Sequence, residues 1–257
     1  MPHLTRRALL RAALHGVAAT ALLPVASSWA FGTEDALRIG LLHYPSDGWN
    51  LRSGAIDHLL TEIELSTSIL VAATADVLNP GDELRRHPLI FVTGDRAFDP
   101  WSQDLREQLR RYLQAGGMLA FDSSEGRVDG EFYASARREL SAILPESSLD
   151  RLPQSHVVFK SFYLCRGNEG RRTVAAYMEG VHEDGRLKVL FSHNDLLGAW
   201  ARSATGQPSY AVDGGEQGRA MALRFGVNLV MYALTLDYKE DQVHVPFLLR
   251  RRRWRVP

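Results

Sequence analysis

The sequence predicts an α/β protein, a three-layer domain whose mainly parallel sheet is covered by helices on both faces. Apolar strand-like runs alternate with amphipathic helices along the first half of the chain, which is the order of a doubly wound sheet. Residues 89–93 form a short apolar run ended by Gly94, as expected of an inner parallel strand. Glycine and proline residues follow the predicted helices, where the chain has to turn.

The first three elements are predicted from apolar runs separated by turn residues. Residues 37–44 form the first strand, and a helix over residues 53–66 follows it. The apolar stripe of this helix consists of Ile56, Leu59, Leu60 and Ile63. We predict a short strand at residues 68–72.

Two further pairs of strand and helix follow. After the strand at 89–93, residues 99–100 are typical of a helix start, and the glycine pair at 116–117 ends that helix because glycine tolerates positive φ. The next strand covers residues 118–122, and a helix covers residues 130–144. The buried faces of the two helices are Leu105, Leu109, Tyr112 and Leu113, and Phe132, Ala136, Leu140 and Ile143.

The second half of the chain has a less regular pattern. Residues 157–164, 173–179 and 187–192 have the composition of strands and are joined by turns that contain glycine. A long apolar helix over residues 216–234 closes the fold. The sequence has no internal repeat and no low-complexity linker, which favours a single domain.

The N-terminal 30 residues are predicted to be a cleavable twin-arginine signal peptide. Arg6 and Arg7 precede a short apolar run, and Ser28 and Ala30 are the small residues that a signal peptidase requires, so the mature chain is expected to start at Phe31. The alternative is a membrane anchor, but Arg11, His15 and Gly16 interrupt the roughly 20 apolar residues that a span needs. We therefore expect export to the periplasm by the twin-arginine translocase.

The charge distribution separates the body of the chain from its C-terminal tail. Residues 31–249 carry 22 basic and 30 acidic residues, which argues against nucleic acid as a partner of the predicted domain at 31–238. The tail at 239–257 is rich in arginine. It could contact anionic lipid or an acidic partner at the membrane surface, or it could be a solvated terminus.

The chain resembles the bacterial family designated domain of unknown function 4159 over nearly all of its mature length. The motifs are Phe91-Val92-Thr93-Gly94, the run at residues 109–122, His156-Val157-Val158-Phe159, Ser192-His193-Asn194-Asp195-Leu196 and the run at residues 224–234. The resemblance implies a flavodoxin-like sandwich of the class I glutamine amidotransferase-like type and a protein of the bacterial envelope. It implies no established activity.

Enzymes of this wider fold group use a cysteine nucleophile on a sharp turn after a strand, and this sequence lacks it. Ser123 and Ser124 follow the corresponding strand, and they could act as a nucleophile or simply form a turn. The single cysteine, Cys165, excludes an intrachain disulfide and is predicted to be a buried apolar group. We therefore expect no glutamine amidotransfer.

A ligand of an open α/β sheet binds beyond the carboxyl ends of the strands, and polar residues collect there in this sequence. The predicted site lies near His43, Asp95, Asp122 and His156. The candidate ligand-binding residues are His43, Tyr44, Asp95, Asp122, Glu125, His156, Asn194, Asp195 and Trp200. Aromatic residues at Trp49, Tyr163 and Trp200 could supply flat faces or could pack at the rim of the core.

Two classes of function remain open from the sequence, and a cysteine or serine hydrolase is a third hypothesis. A divalent cation or acid-base chemistry could involve Asp95, Asp122, His156 and Asp195. Their spacing matches no metal motif, and the same residues could instead fix the conformation of loops. The first hypothesis is an exported, non-catalytic protein that binds a small ligand or an envelope partner, and the missing cysteine favours it. The alternative is a metal-assisted envelope hydrolase or transferase.

Overall fold

A sheet of seven strands forms the centre of the fold that residues 36–235 adopt. The computed structural model describes residues 36–235, so the predicted signal peptide and the arginine-rich tail lie outside the described residues. The strands in chain order are β1 (Ile39–Leu42), β2 (Asp76–Leu78), β3 (Leu89–Gly94), β4 (Met118–Ser123), β5 (Asp150–Arg151), β6 (Glu179–Glu183) and β7 (Arg186–Ser192). Their order across the sheet is β2-β1-β3-β4-β7-β6-β5. The first five strands of this spatial order, β2, β1, β3, β4 and β7, pair in parallel. β6 and β5 extend the sheet with antiparallel pairs.

Within residues 36–235, five α-helices and one 3-10 helix accompany the sheet. The α-helices are α1 (Ala55–Ser66), α2 (Gln103–Gln114), α3 (Glu131–Ile143), α4 (Leu196–Trp200) and α5 (Gly215–Leu234), and the 3-10 helix is Val157–Lys160. Buried residues of α1, α4 and α5 belong to one apolar cluster and those of α2 and α3 to another. The prediction of an α/β fold with a mainly parallel sheet is therefore confirmed.

The inner strands explain the two clusters, because alternate side chains of a strand point to opposite faces. In β3, Leu89 and Phe91 belong to the first cluster, while Ile90 and Val92 belong to the second. All six residues of β3 and all six of β4 are buried. A strand that is covered on both faces is mainly apolar rather than alternating, which is the pattern seen at residues 89–93.

The predicted strand at residues 68–72 is wrong in position. Val71 makes only an isolated parallel bridge with Leu37, and the edge strand is β2 at Asp76–Leu78. The sequence pattern favoured the more apolar of two short segments, whereas β2 has one buried residue, Leu78. An edge strand needs little apolar character, since neighbours cover only part of it.

Two predicted strands of the second half are irregular, and a buried asparagine accounts for each. Residues 157–164 begin with the 3-10 helix, and the side-chain oxygen of Asn228 then accepts the backbone N–H groups of Phe162 and Tyr163. Residues 173–178 lie outside any strand, and Asn194 accepts N–H groups of this segment in the same way. Side-chain amides thus replace the sheet ladder as partners of these backbone groups.

Within residues 36–235, no helix is both long enough and apolar enough to cross a membrane.

Candidate functional site

The carboxyl ends of β1, β3, β4 and β7 lie side by side at one edge of the sheet, as the strand order requires. Polar residues continue from each of these strands, namely His43 after β1, Asp95 after β3, Ser124 after β4 and His193 after β7. The position of this polar edge follows directly from the parallel pairing.

Asp195 occupies a strained turn between β7 and α4. Its backbone is left-handed, with φ 55°, and its side chain accepts the N–H of Gly198 as the N-cap of α4. A Cβ atom at position 198 would lie 2.4 Å from the Asp195 carboxylate, so only glycine fits there. A non-glycine residue in this conformation is uncommon and costs free energy, and such residues cluster at functional sites.

Two arginines bind the Asp195 carboxylate. Arg52 donates from Nε to Oδ1 at 2.9 Å and from Nη2 to Oδ2 at 2.7 Å, and Arg171 donates from Nε to Oδ2. The Asp195 side chain is 1% exposed and that of Arg52 is 13% exposed. Both guanidinium groups also lie against the ring of Tyr210, at 4.3 Å and 5.6 Å from its centroid. The cluster is a well-bonded, largely buried ion pair network.

Asp122 lies at the end of β4, directly behind this network. Its two oxygens accept the N–H groups of Leu196 at 2.8 Å and Leu197 at 2.9 Å, which are the first residues of α4. Burial and the adjacent Asp195 carboxylate raise the pKa of the Asp122 carboxyl to about 7, against the opposing effect of the hydrogen bonds to α4. The two predicted carboxylates are therefore close together, but one anchors α4 and the other binds arginine.

The segment of residues 45–54, here called the strap, crosses this edge of the sheet. It leaves β1, and Thr93 of β3 donates its hydroxyl to the carbonyl of Trp49 at 2.6 Å. Gly48 passes so close to Asp95 that a Cβ atom would lie 2.5 Å from its Oδ1. Arg52 then reaches Asp195 beyond β7. The strap consequently lies over the carboxyl ends of β3 and β4.

A cavity of about 120 Å³ lies between the strap, β1, β2 and the start of α1. Its polar lining residues are Asn50, Arg52, Ser53 and Asp57, with the backbone of Gly54. Its apolar lining residues are Leu41, Ile56, Ala75, Val77 and Leu197. Arg52 thus contacts both the cavity and Asp195.

Residues 38–234 match the family model described as Domain of unknown function (DUF4159). The chain belongs to the DUF4159 family. No curated protein matches the chain. The resemblance inferred from the sequence motifs is confirmed at the level of this family.

Several predicted site residues of this DUF4159 protein lie at the polar edge but have local bonding roles. His43 Nδ1 is 2.8 Å from the side-chain oxygen of Asn79, and the Tyr44 hydroxyl donates to the carbonyl of Thr93. Asp95 pairs with its neighbour Arg96. Glu125 accepts the N–H of Phe132 in the first turn of α3 and the hydroxyl of Ser123.

Asn194 and Trp200 are fully buried and belong to the framework. Asn194 accepts from Val174 and Ala175 and donates to the carbonyls of Asn168 and Ala175, so its amide is saturated. Trp200 packs edge-on against Phe91 in the core. Neither side chain offers a surface to a ligand.

His156 lies away from the other candidates, near the amino end of the parallel strands. It caps the 3-10 helix, and its ring lies against His182 and Tyr232. His182 pairs with Leu187 at the start of β7, whereas Asp122 pairs with Ser192 at the end of that strand. The four candidate metal ligands are therefore not brought together, and among residues 36–235 no group of three or more His, Cys, Asp or Glu side chains is placed to hold a metal ion.

The candidate nucleophiles of the DUF4159 chain are engaged or unreactive. The Ser123 hydroxyl bonds to Glu125, and the Ser124 hydroxyl donates to the carbonyl of Gly94. Burial, followed by the charge of Glu169, raises the pKa of the Cys165 thiol to about 12, so the thiolate is disfavoured.

The sequence interpretation missed Arg52, Arg171, Tyr210 and a buried pair formed by His193 and Glu179. His193 Nε2 is 2.7 Å from Glu179, which also accepts the hydroxyl of Tyr133. The sequence pattern places Glu179 at the end of one predicted strand and His193 directly after another. Only the observation that β6 pairs with β7 brings the two side chains together, and no local sequence signal indicates this pairing.

Proposed function

We propose that the protein is an exported, non-catalytic binding protein that holds a small ligand in the cavity between the strap and α1. The observation that supports this proposal is that the cavity is open, while the candidate carboxylates at the same edge of the sheet are already hydrogen-bonded within the protein. The cavity is open beside Arg52, whereas the acid-base candidates at the same edge already bind protein groups. A concave site with a mainly apolar lining and a few polar groups is the usual form of a ligand site.

The bonding of the carboxylates supports binding rather than catalysis. A general base has to reach the proton that it abstracts, and a nucleophile has to present a free oxygen. Both oxygens of Asp122 face the N–H groups of α4, and both oxygens of Asp195 face arginine. Catalysis by either residue would require the strap or α4 to move.

The cellular setting and the finer fold class are part of the same proposal. We infer a twin-arginine signal peptide at residues 1–30, a periplasmic location and a three-layer arrangement of the flavodoxin-like or amidotransferase-like type. The arginines at residues 250–253 and Arg255 would contact the membrane surface or an envelope partner. Supporting features are the paired Arg6 and Arg7 before an apolar run and the parallel strand order at the centre of the sheet.

The proposal is tested by native mass spectrometry of the protein purified under mild conditions. We expect a small molecule to co-purify with the wild type and to be lost from Ala75→Leu, because the larger side chain occupies the cavity. Ala134→Leu, on the exposed face of α3, is the matched control and should retain the molecule. Equal occupancy in Ala75→Leu and wild type would contradict a site in this cavity.

The metal-assisted alternative is tested on the same samples by elemental mass spectrometry. Asp122 and Asp195 are the two candidate ligands that the structure brings together, so a functional metal should depend on them. Near-stoichiometric metal that falls in Asp122→Ala would favour the enzyme hypothesis over the binding hypothesis.

A further inference from the structure

The network around Asp195 has more positive than negative charge. Arg52 and Arg171 both bind the one carboxylate of Asp195. Asp122, the adjacent carboxyl group, uses both of its oxygens to accept N–H groups of α4. A largely buried guanidinium that shares its counter-ion is suited to take an additional acidic partner.

Arg52 can bind such a partner while Asp195 keeps a cationic neighbour. Its pair with Asp195 uses Nε and Nη2, and a guanidinium has five N–H donors in total. Arg171 would continue to bind Asp195 if Arg52 turned toward the cavity, so the buried carboxylate would keep a cation. An acidic ligand can therefore compete for Arg52 without leaving Asp195 unpaired.

The remaining lining of the cavity fits an apolar group. Five aliphatic residues line it, and Asp57, the one acidic residue of the lining, directs Oδ1 to the N–H of Ala75. A volume of about 120 Å³ corresponds to about four water molecules at about 30 Å³ each, which limits the ligand to a small organic molecule. The cavity thus combines a cationic residue at one end with an aliphatic wall.

We propose that the cavity binds a small aliphatic carboxylate, whose acid group pairs with Arg52 and whose hydrocarbon part packs against Leu41, Ile56 and Val77. This inference rests on the proposed binding function and adds the chemical class of the ligand. It also assigns Arg52 as the residue that selects an acid over a neutral molecule of the same shape.

The experiment compares isobutyrate with isobutyramide, which have the same shape and differ in charge. The full chain is titrated with each compound, and chemical shifts of the lining residues give the dissociation constants. Wild type should bind isobutyrate about ten- to a hundredfold more tightly than isobutyramide, because a charge-assisted pair is lost with the amide. Arg52→Gln should remove that preference, and Arg52→Lys should retain part of it.

Arg96→Gln is the matched control, because Arg96 forms an exposed ion pair at the same edge without lining the cavity. This variant should keep the wild-type preference for isobutyrate. Equal affinity of wild type for the two compounds, or an unchanged preference in Arg52→Gln of unchanged melting temperature, would overturn the inference. Absence of shifts with both compounds would overturn it too. A co-purifying molecule that Ala75→Leu removes would then still support the binding function, so the two failures are distinguishable.

Discussion

Asp122 lies between the N-terminus of α4 and a second carboxylate, and these two neighbours act on it in opposite directions. The helix N–H groups favour its charged form, while burial and Asp195 disfavour it more strongly and raise its pKa to about 7, well above the ordinary value of an aspartic acid. A carboxyl whose pKa is raised by folding contributes stability below its unfolded pKa. That contribution is lost as the pH rises toward 7.

We therefore expect the wild type to lose stability between pH 5 and pH 8 relative to Asp122→Asn. Asparagine has one oxygen, so its amide faces one N–H of α4 and the variant should melt lower than wild type at pH 5. Asparagine does not titrate, so the difference in melting temperature should narrow at pH 8. The lowered pKa of His58 makes the stability rise with pH, which is the opposite trend. This effect is the same in wild type and variant, so it cancels in the difference between their melting temperatures. A difference that is constant with pH would show that Asp122 keeps one charge state throughout this range.

Asn194 supports an irregular segment that lacks sheet partners. Asn194→Ala would leave two N–H groups, of which that of Ala175 is buried, and two carbonyls without this amide, at a cost of about 3 kcal/mol in the free energy of unfolding. Asn79→Ala, at an exposed position, should cost less than about 1 kcal/mol. Urea denaturation of the two variants measures the comparison, and equal losses would refute the anchoring role.

The sequence predicts the location of a residue at the end of a strand, but it does not predict contacts between loops that are distant in the chain. Asp122 and Asp195 were expected at the carboxyl edge, and they lie there because β4 and β7 are parallel neighbours. Arg52 and Arg171 come from loops whose paths depend on the folded chain. No spacing in the sequence relates Arg52 to Asp195, which is 143 positions away.

At the scale of elements, the strap has no sheet or helix pairing along its length and depends on a few contacts. Residues 45–54 form turns, and their ties to the rest of the edge include the Thr93 bond to Trp49, the weaker Tyr210 bond to Leu51 and the Arg52 pair with Asp195. The pair with Asp195 is the charged and most buried of these. It should therefore contribute most to holding the strap over β3 and β4.

Hydrogen exchange followed by mass spectrometry tests this role of the strap contact. Amide exchange at residues 46–54 should be about tenfold faster in Arg52→Gln, because local opening loses a charge-assisted pair. Exchange in β3 should not change. Arg96→Gln removes an exposed pair next to the strap and should leave exchange near the wild-type rate. Similar acceleration in both variants would mean that the total positive charge at this edge, and not the specific pair of Arg52 with Asp195, stabilises the strap.

The elements that the sequence predicted correctly are those whose pattern is imposed by burial on both faces. β3 is apolar from Leu89 to Val92 and β4 from Met118 to Phe121, and the apolar stripes of α1, α2 and α3 face the sheet. The segments at 157–164 and 173–179 are apolar for a different reason. They pack on the framework while Asn228 and Asn194 take their N–H groups, and composition alone does not separate such a segment from a strand.

For the whole molecule, the proposed function depends on export, because an envelope ligand or partner is met only outside the cytoplasm. The paired Arg6 and Arg7 are the feature that would specify the twin-arginine route, and this route carries proteins that have already folded. The body of the chain folds without a disulfide, since Cys165 is its single cysteine. A domain of this kind can complete its core before export and need not wait for an oxidising compartment.

Replacing both Arg6 and Arg7 by lysine should therefore keep the full-length chain in the cytoplasm as a folded protein. Cell fractionation and immunoblotting would show a shorter mature form in the periplasm for wild type and the longer precursor in the cytoplasm for the variant. A variant in which Arg11 is replaced by lysine keeps the pair and should be exported normally. Normal export of the doubly substituted chain would instead indicate a general secretory signal, and the domain would then have to fold outside the cytoplasm.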